Sequence, residues 1–133
     1  MINTFRRFSE YVVVYLFGGL IYALLEVLLR GSTHWTMLLT GGLCFLLLYL
    51  ISVYSKEPLW RKALMGAFVI TTIEFLVGIL VNLILGWNVW DYSAHRFNLL
   101  GQICLLFSML WFFVSIAGVH LSGFLHKMFR ERQ

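Results

Sequence analysis

The residues with chemistry to offer crowd into one stretch of this chain. Between positions 87 and 105 it reads Trp-Asn-Val-Trp-Asp-Tyr-Ser-Ala-His-Arg-Phe-Asn-Leu-Leu-Gly-Gln-Ile-Cys-Leu, which places Trp90, Asp91, Tyr92, His95, Arg96, Asn98 and Gln102 beside strongly apolar sequence. Polar and ionisable side chains at membrane depth are expensive unless partnered, so such a cluster marks a candidate functional site. Two more acids lie inside apolar runs. Tyr22, Glu26 and Arg30 follow one another at i, i+4, i+8 and share a helical face, where Glu26 and Arg30 can pair. Thr71, Glu74, Gly78 and Asn82 form a second stripe. A central acid such as Glu74 costs roughly 2.5–3.5 kcal/mol on insertion scales, so it should face the protein interior, either protonated or paired with a cation.

The chemistry these groups share is recognition of positive charge. Glu26, Glu74 and Asp91 would hold a cationic or amine-bearing solute, or carry a proton, while Trp35, Trp90 and Tyr92 would offer cation–π faces. His34, Asn82, Asn98 and Gln102 complete the candidate binding set, with Asn98 and Gln102 expected at i, i+4 on the last helix. Each has a structural alternative. Intramembrane amides are often interhelical glue worth ~0.6 kcal/mol each. Trp35, Trp60, Trp87 and Trp90 fall at helix ends, where interfacial anchoring is the default. Glu26 with Arg30 could be a purely structural ion pair. No His-x-x-x-His, Asp-rich motif or P-loop is present, so no metal, cofactor or catalytic set is expected, and ATP-driven work would need a separate ATPase subunit. Cys44 and Cys104 sit in apolar sequence and read as packing residues.

The elements that must position these groups follow from hydropathy. The chain is 61% hydrophobic and only 12% charged, whereas soluble domains average about 25% charged. Four continuously apolar windows, 11–29, 37–54, 63–87 and 99–121, explain the excess. Each approaches or exceeds the ~20 helical residues that cross a bilayer core of ~30 Å. The fold class is therefore an all-α membrane protein: residues 1–133 form a single domain of four transmembrane helices arranged as two helical hairpins. Arg6-Arg7 before the first window resembles a signal peptide, but no Ala-x-Ala-like site follows, and a retained first helix is expected.

Net charge is +4, and its distribution argues against nucleic acid. With both termini cytoplasmic, Arg6, Arg7, Lys56, Arg61, Lys62, Lys127, Arg130 and Arg132 lie inside, and only Arg30 and Arg96 outside. That bias sets orientation and argues against insertion in both directions. On this topology Glu26, Arg30, His34, Trp90, Asp91, Tyr92, Asn98 and Gln102 converge on the outer half of the bundle, with Glu74 and Asn82 as the floor of an outward-facing pocket. The hairpins also look alike. Glu26 and Glu74 each follow a glycine by eight residues (Gly18, Gly66), and Gly41-Gly42-Leu43-Cys44 lies over Gly101-Gln102-Ile103-Cys104. This is consistent with a parallel internal repeat, chance being the alternative in Leu- and Gly-rich sequence. Gly41, Gly42, Gly78 and Gly101 are small positions where helices could approach closely.

Several of these residues form a pattern. Glu26, Arg30-Gly31, Gly41-Gly42, Glu74, Trp90-Asp91-Tyr92-Ser93, Phe97-Asn98 and Gly101-Gln102-Ile103-Cys104-Leu105 resemble the motifs of the bacterial CmpB-like ABC transporter permease family, also called ABC transporter type IV. The similarity spans about residues 15 to 115. Many members open helix two with a Gly-Pro…Cys-Pro segment, and this chain has only Pro58, in an inside loop. The resemblance implies a multi-pass protein of the bacterial inner membrane with a transport-related role. We expect a small transporter subunit or substrate-binding module, with few helices for a full permease, with membrane lipid around it and a homodimer or other homo-oligomer as its assembly. The alternatives are an intramembrane enzyme on a lipid head group, using an acid/base pair from Glu26, His34 and Asp91, and a structural partner docking another membrane protein through its Gly-rich faces.

Overall fold

The computed structural model describes residues 2–31 and 33–131, with side chains from Phe5 onward. The Arg30 side chain, and with it the expected Glu26–Arg30 pair, lies outside the described residues. Four helices are each long and apolar enough to cross a membrane: α1 (Ile2–Arg30), α2 (Trp35–Tyr54), α3 (Leu59–Gly78) and α4 (Leu105–Glu131). A helix is what continuous apolar sequence must form in hydrocarbon, because every backbone group then pairs within its own segment. The side chains sort accordingly. Leu20, Leu28, Phe68 and Phe113 stand exposed on the outside, whereas Glu10, Glu26, Thr40, Glu74, Ser115 and Ser122 are buried inside.

Local sequence sets the ends of the first hairpin. Gly31 stops α1 at φ +82°, returning its N–H to the Val27 carbonyl at 2.9 Å, the left-handed stop that glycine adopts without a Cβ clash. His34 then caps α2, its Nδ1 accepting the Thr36 N–H at 3.3 Å. α1 and α2 make the most extensive contact in the molecule, followed by α3 and α4, so the two expected hairpins are the units of packing. Gly41 and Gly42 let α1 come close: they lie directly against Tyr22 and Tyr15, the small-residue approach that helices use in lipid.

The segment between α3 and α4 departs from expectation. The third helix continues as a π-helical turn, Ile79–Ile84, and ends there. The fourth starts at Leu105 rather than at residue 99, and it runs to Glu131. Asn98 and Gln102 therefore share no helical face. They lie instead in a two-stranded hairpin of β1 (Asn98–Leu99) and β2 (Ile103–Cys104), with Asn98 opposite Cys104 and Leu99 opposite Ile103. Leu100 and Gly101 turn the hairpin at φ +53° and +72°, both in the left-handed region, and the Gln102 N–H closes the turn on the Leu99 carbonyl at 3.0 Å. Gly101 is thus a turn residue, not a site of helix–helix approach. Apolarity alone could not separate these outcomes, because Leu99, Leu100 and Ile103 read equally well as the first turn of a helix.

At the end of the bundle that carries both termini, a polar group ties three helices together. The Tyr49 hydroxyl on α2 donates to Glu10 Oε2 on α1 at 2.8 Å and lies 3.2 Å from His126 Nδ1 on α4. With the hydroxyl proton committed to Glu10, His126 must supply the Nδ1–H of the second bond.

Candidate functional site

The opposite end holds a chamber of about 590 Å³, within the range of small-molecule sites. Three segments wall it: the last turn of α1 (Glu26, Leu29), the start of α2 with the residues before it (Thr33, His34, Met37), and the 87–107 segment (Trp87, Val89, Trp90, Asp91, Tyr92, His95 and Phe107 among others). Of Asp, Glu, Lys and Arg, the described lining residues include only Glu26 and Asp91. Glu26 is buried and Asp91 is exposed at the rim.

The π-helical turn explains how the loop is held. Widening the helix re-aims Asn82 at the returning chain, a use typical of π-bulges near functional sites. Asn82 Oδ1 accepts the N–H groups of Val89 at 2.6 Å and Trp90 at 3.3 Å, while Nδ2 donates to Gln102 Oε1 at 2.8 Å. Gln102 Nε2 donates to the Leu100 carbonyl at 2.8 Å, and the Gln102 carbonyl accepts the Trp90 indole N–H at 3.0 Å. Gly78 leaves the space for this joint, since a Cβ there would stand 2.6 Å from Gln102 Oε1 and 3.0 Å from Trp90. Asn98 closes the outer loop, donating to the carbonyls of His95 at 2.8 Å and Ser93 at 3.3 Å and accepting the Gly101 N–H at 3.0 Å. Asn88, Phe97 and Leu100 all adopt positive φ in this one segment. Such strain persists only where surrounding contacts over-determine it, and it concentrates at functional loops.

These bonds fix the groups that face the chamber. Asp91 Oδ1 accepts the Ser93 N–H at 2.9 Å, and this hydrogen bond holds the Asp91 carboxyl below its ordinary pKa. Tyr92 stacks on Phe107 with ring centroids 4.8 Å apart, and His95 stands edge-on to both rings, at 5.7 and 5.8 Å. The aromatic series continues inward. Phe107 leads to Trp111 at 6.5 Å, and Trp111 stacks on Tyr22 at 5.5 Å. Tyr22 donates its hydroxyl to Glu74 Oε2 at 3.3 Å. At the rim, His34, Trp35 and Trp87 form a cluster with centroids 5.5 to 5.9 Å apart.

The sequence-derived candidates thus divide by position. Glu26, His34, Trp90, Asp91 and Tyr92 line the chamber. Trp35 flanks it through Trp87. Asn82, Asn98 and Gln102 stand behind the lining as braces of the loop. Glu74, only 2% exposed, lies off the lining and is reached through Tyr22, so it does not form the floor. His95, part of the polar cluster noted in the sequence though not of the binding set, also lines the chamber, and Met37, Trp87 and Phe107 line it without having been binding candidates. The i, i+4 step from Phe107 to Trp111 was the available signal, masked because aromatics are common in apolar helices. The Glu10–Tyr49–His126 group was also missed, since no two of its members are close in sequence.

A family model described as "Putative ABC-transporter type IV" matches residues 7–132, nearly the whole chain. No curated protein and no solved structure matches it.

Proposed function

The chain belongs to the ABC-transporter type IV family, and on that premise we propose that this membrane protein is a small transporter subunit or substrate-binding module that takes a cationic or amine-bearing solute into the chamber. One observation carries the reading: Glu26 and Asp91 line the same cavity as the aromatic residues Trp87, Trp90, Tyr92 and Phe107. Carboxylates supply the charge attraction, and aromatic faces add roughly 0.5–2 kcal/mol for a partly desolvated cation. On the positive-inside orientation the chamber opens away from the cytoplasm of a bacterial inner membrane. Glu74, joined to the aromatic series through Tyr22, is the residue suited to sense occupancy or hold a proton. Should the family name describe the mechanism, the energy would come from a separate ATPase subunit.

Native mass spectrometry of the purified protein tests this. Wild type should retain an amine-bearing small molecule that Glu26→Gln and Asp91→Asn lose at unchanged helical content. Equal retention by wild type and both variants would contradict the reading.

A further inference from the structure

Below the chamber lies a second cavity, of about 260 Å³ and almost entirely apolar. It opens between α1 and α4, which make little contact along this length. Gly18, Ile21 and Leu25 form one wall, and Val114, Ala117 and Leu121 the other. The groove and the chamber occupy successive turns of the same helices. Glu26 of the chamber stands one turn beyond Tyr22 of the groove, Met37 one turn before Gly41, and Phe107 one turn before Trp111. All three pairs are spaced i, i+4, which puts each pair on one helical face. The Tyr22–Trp111 stack marks the boundary.

We propose that the two cavities together hold one amphiphile, its cationic head in the chamber and its single alkyl chain in the groove between α1 and α4. This rests on the reading of the chamber as a cation site and names the class of solute. Two observations select this occupant. The head end carries the carboxylates of Glu26 and Asp91 among aromatic rings, the tail end is lined by aliphatic and aromatic side chains and glycines with no charged group among the described residues, and the change between them falls within one helical turn. From Trp111 to Leu121, the stretch of α4 that lines the groove, the helix rises about 15 Å, the half-thickness of a hydrocarbon core of ~30 Å, so the groove can follow a chain through one leaflet.

The test is equilibrium binding of radiolabelled choline and lauroylcholine to the protein in phospholipid nanodiscs, with empty nanodiscs subtracted. Ala117→Phe and Leu25→Phe fill the groove from opposite walls and leave the chamber lining intact. Wild type should bind lauroylcholine at least tenfold more tightly than choline. Each variant should bind lauroylcholine about tenfold more weakly than wild type, with choline binding unchanged. If choline binds wild type but lauroylcholine gains nothing, or its gain survives both substitutions, the chain lies in bulk lipid and the amphiphile proposal fails while the chamber stands. If wild type binds neither compound, the chamber reading itself fails.

Discussion

Asn82 carries more of the site's architecture than any carboxylate. Its single amide accepts from two backbone N–H groups and donates to Gln102, so Asn82→Leu leaves the turn at Val89–Trp90 unsupported. Losing buried partners costs about 1–3 kcal/mol per unsatisfied group. Thermal unfolding in detergent should show that loss together with loss of solute binding, whereas an exposed change such as Phe68→Leu should leave both intact. Asp91 makes a different claim. Its carboxyl is held below the ordinary carboxylate value by the Ser93 N–H, whose free-peptide reference is about 3.9. A folded-state pKa lowered in this way contributes stability that is fully present above the unfolded value and is lost as pH falls through the folded one. Asp91 therefore stays ionised throughout the mildly acidic range. Carboxylate NMR should find it titrating below the reference, and a value above it would contradict the assigned hydrogen bond.

At the scale of elements, the four helices were legible because apolar runs of this length leave the backbone no other solution in lipid. Glu26, His34, Trp90, Asp91 and Tyr92 could be grouped because loops at one end of an antiparallel bundle must meet. The hairpin and the π-helical turn were not legible. A π-helix changes no residue type, and Leu99-Leu100 carries no polar mark to deny it helical structure. The turn does leave one positional trace. Gly101 stands at φ +72°, and a Cβ there would be 2.8 Å from Asp91 Oδ1. A left-handed backbone costs an ordinary residue about 1–2 kcal/mol, so Gly101→Ala should destabilise by at least that amount and disturb Asp91. An alanine variant with wild-type stability and an unmoved Asp91 titration would contradict the turn. The group at the other end sits on helices that were foreseen, but its members meet only in three dimensions. Tyr49→Phe removes the hydroxyl between Glu10 and His126, and a loss of about 1–3 kcal/mol is expected for a buried carboxylate deprived of its donor.

Across the whole molecule, polar groups collect at two levels of an apolar bundle, one tying α1, α2 and α4 near the termini and one forming the chamber at the far end. On the orientation proposed from the charge distribution, the chamber end would face away from the cytoplasm and the end with the termini toward it. A cysteine introduced at Arg96, beside the chamber, should react with an impermeant maleimide from outside intact spheroplasts, while one at Lys127 should react only after lysis. The reverse pattern would place the chamber on the cytoplasmic side.

The central claim is that the chamber binds positive charge through its two carboxylates. Calorimetric titration of choline into wild type, Glu26→Gln, Asp91→Asn and the double variant tests it most directly. The account predicts one saturable site in wild type, at least tenfold weaker binding in each single variant and none in the double variant, with thermal stability retained. Saturable binding of the same affinity in all four proteins would contradict it.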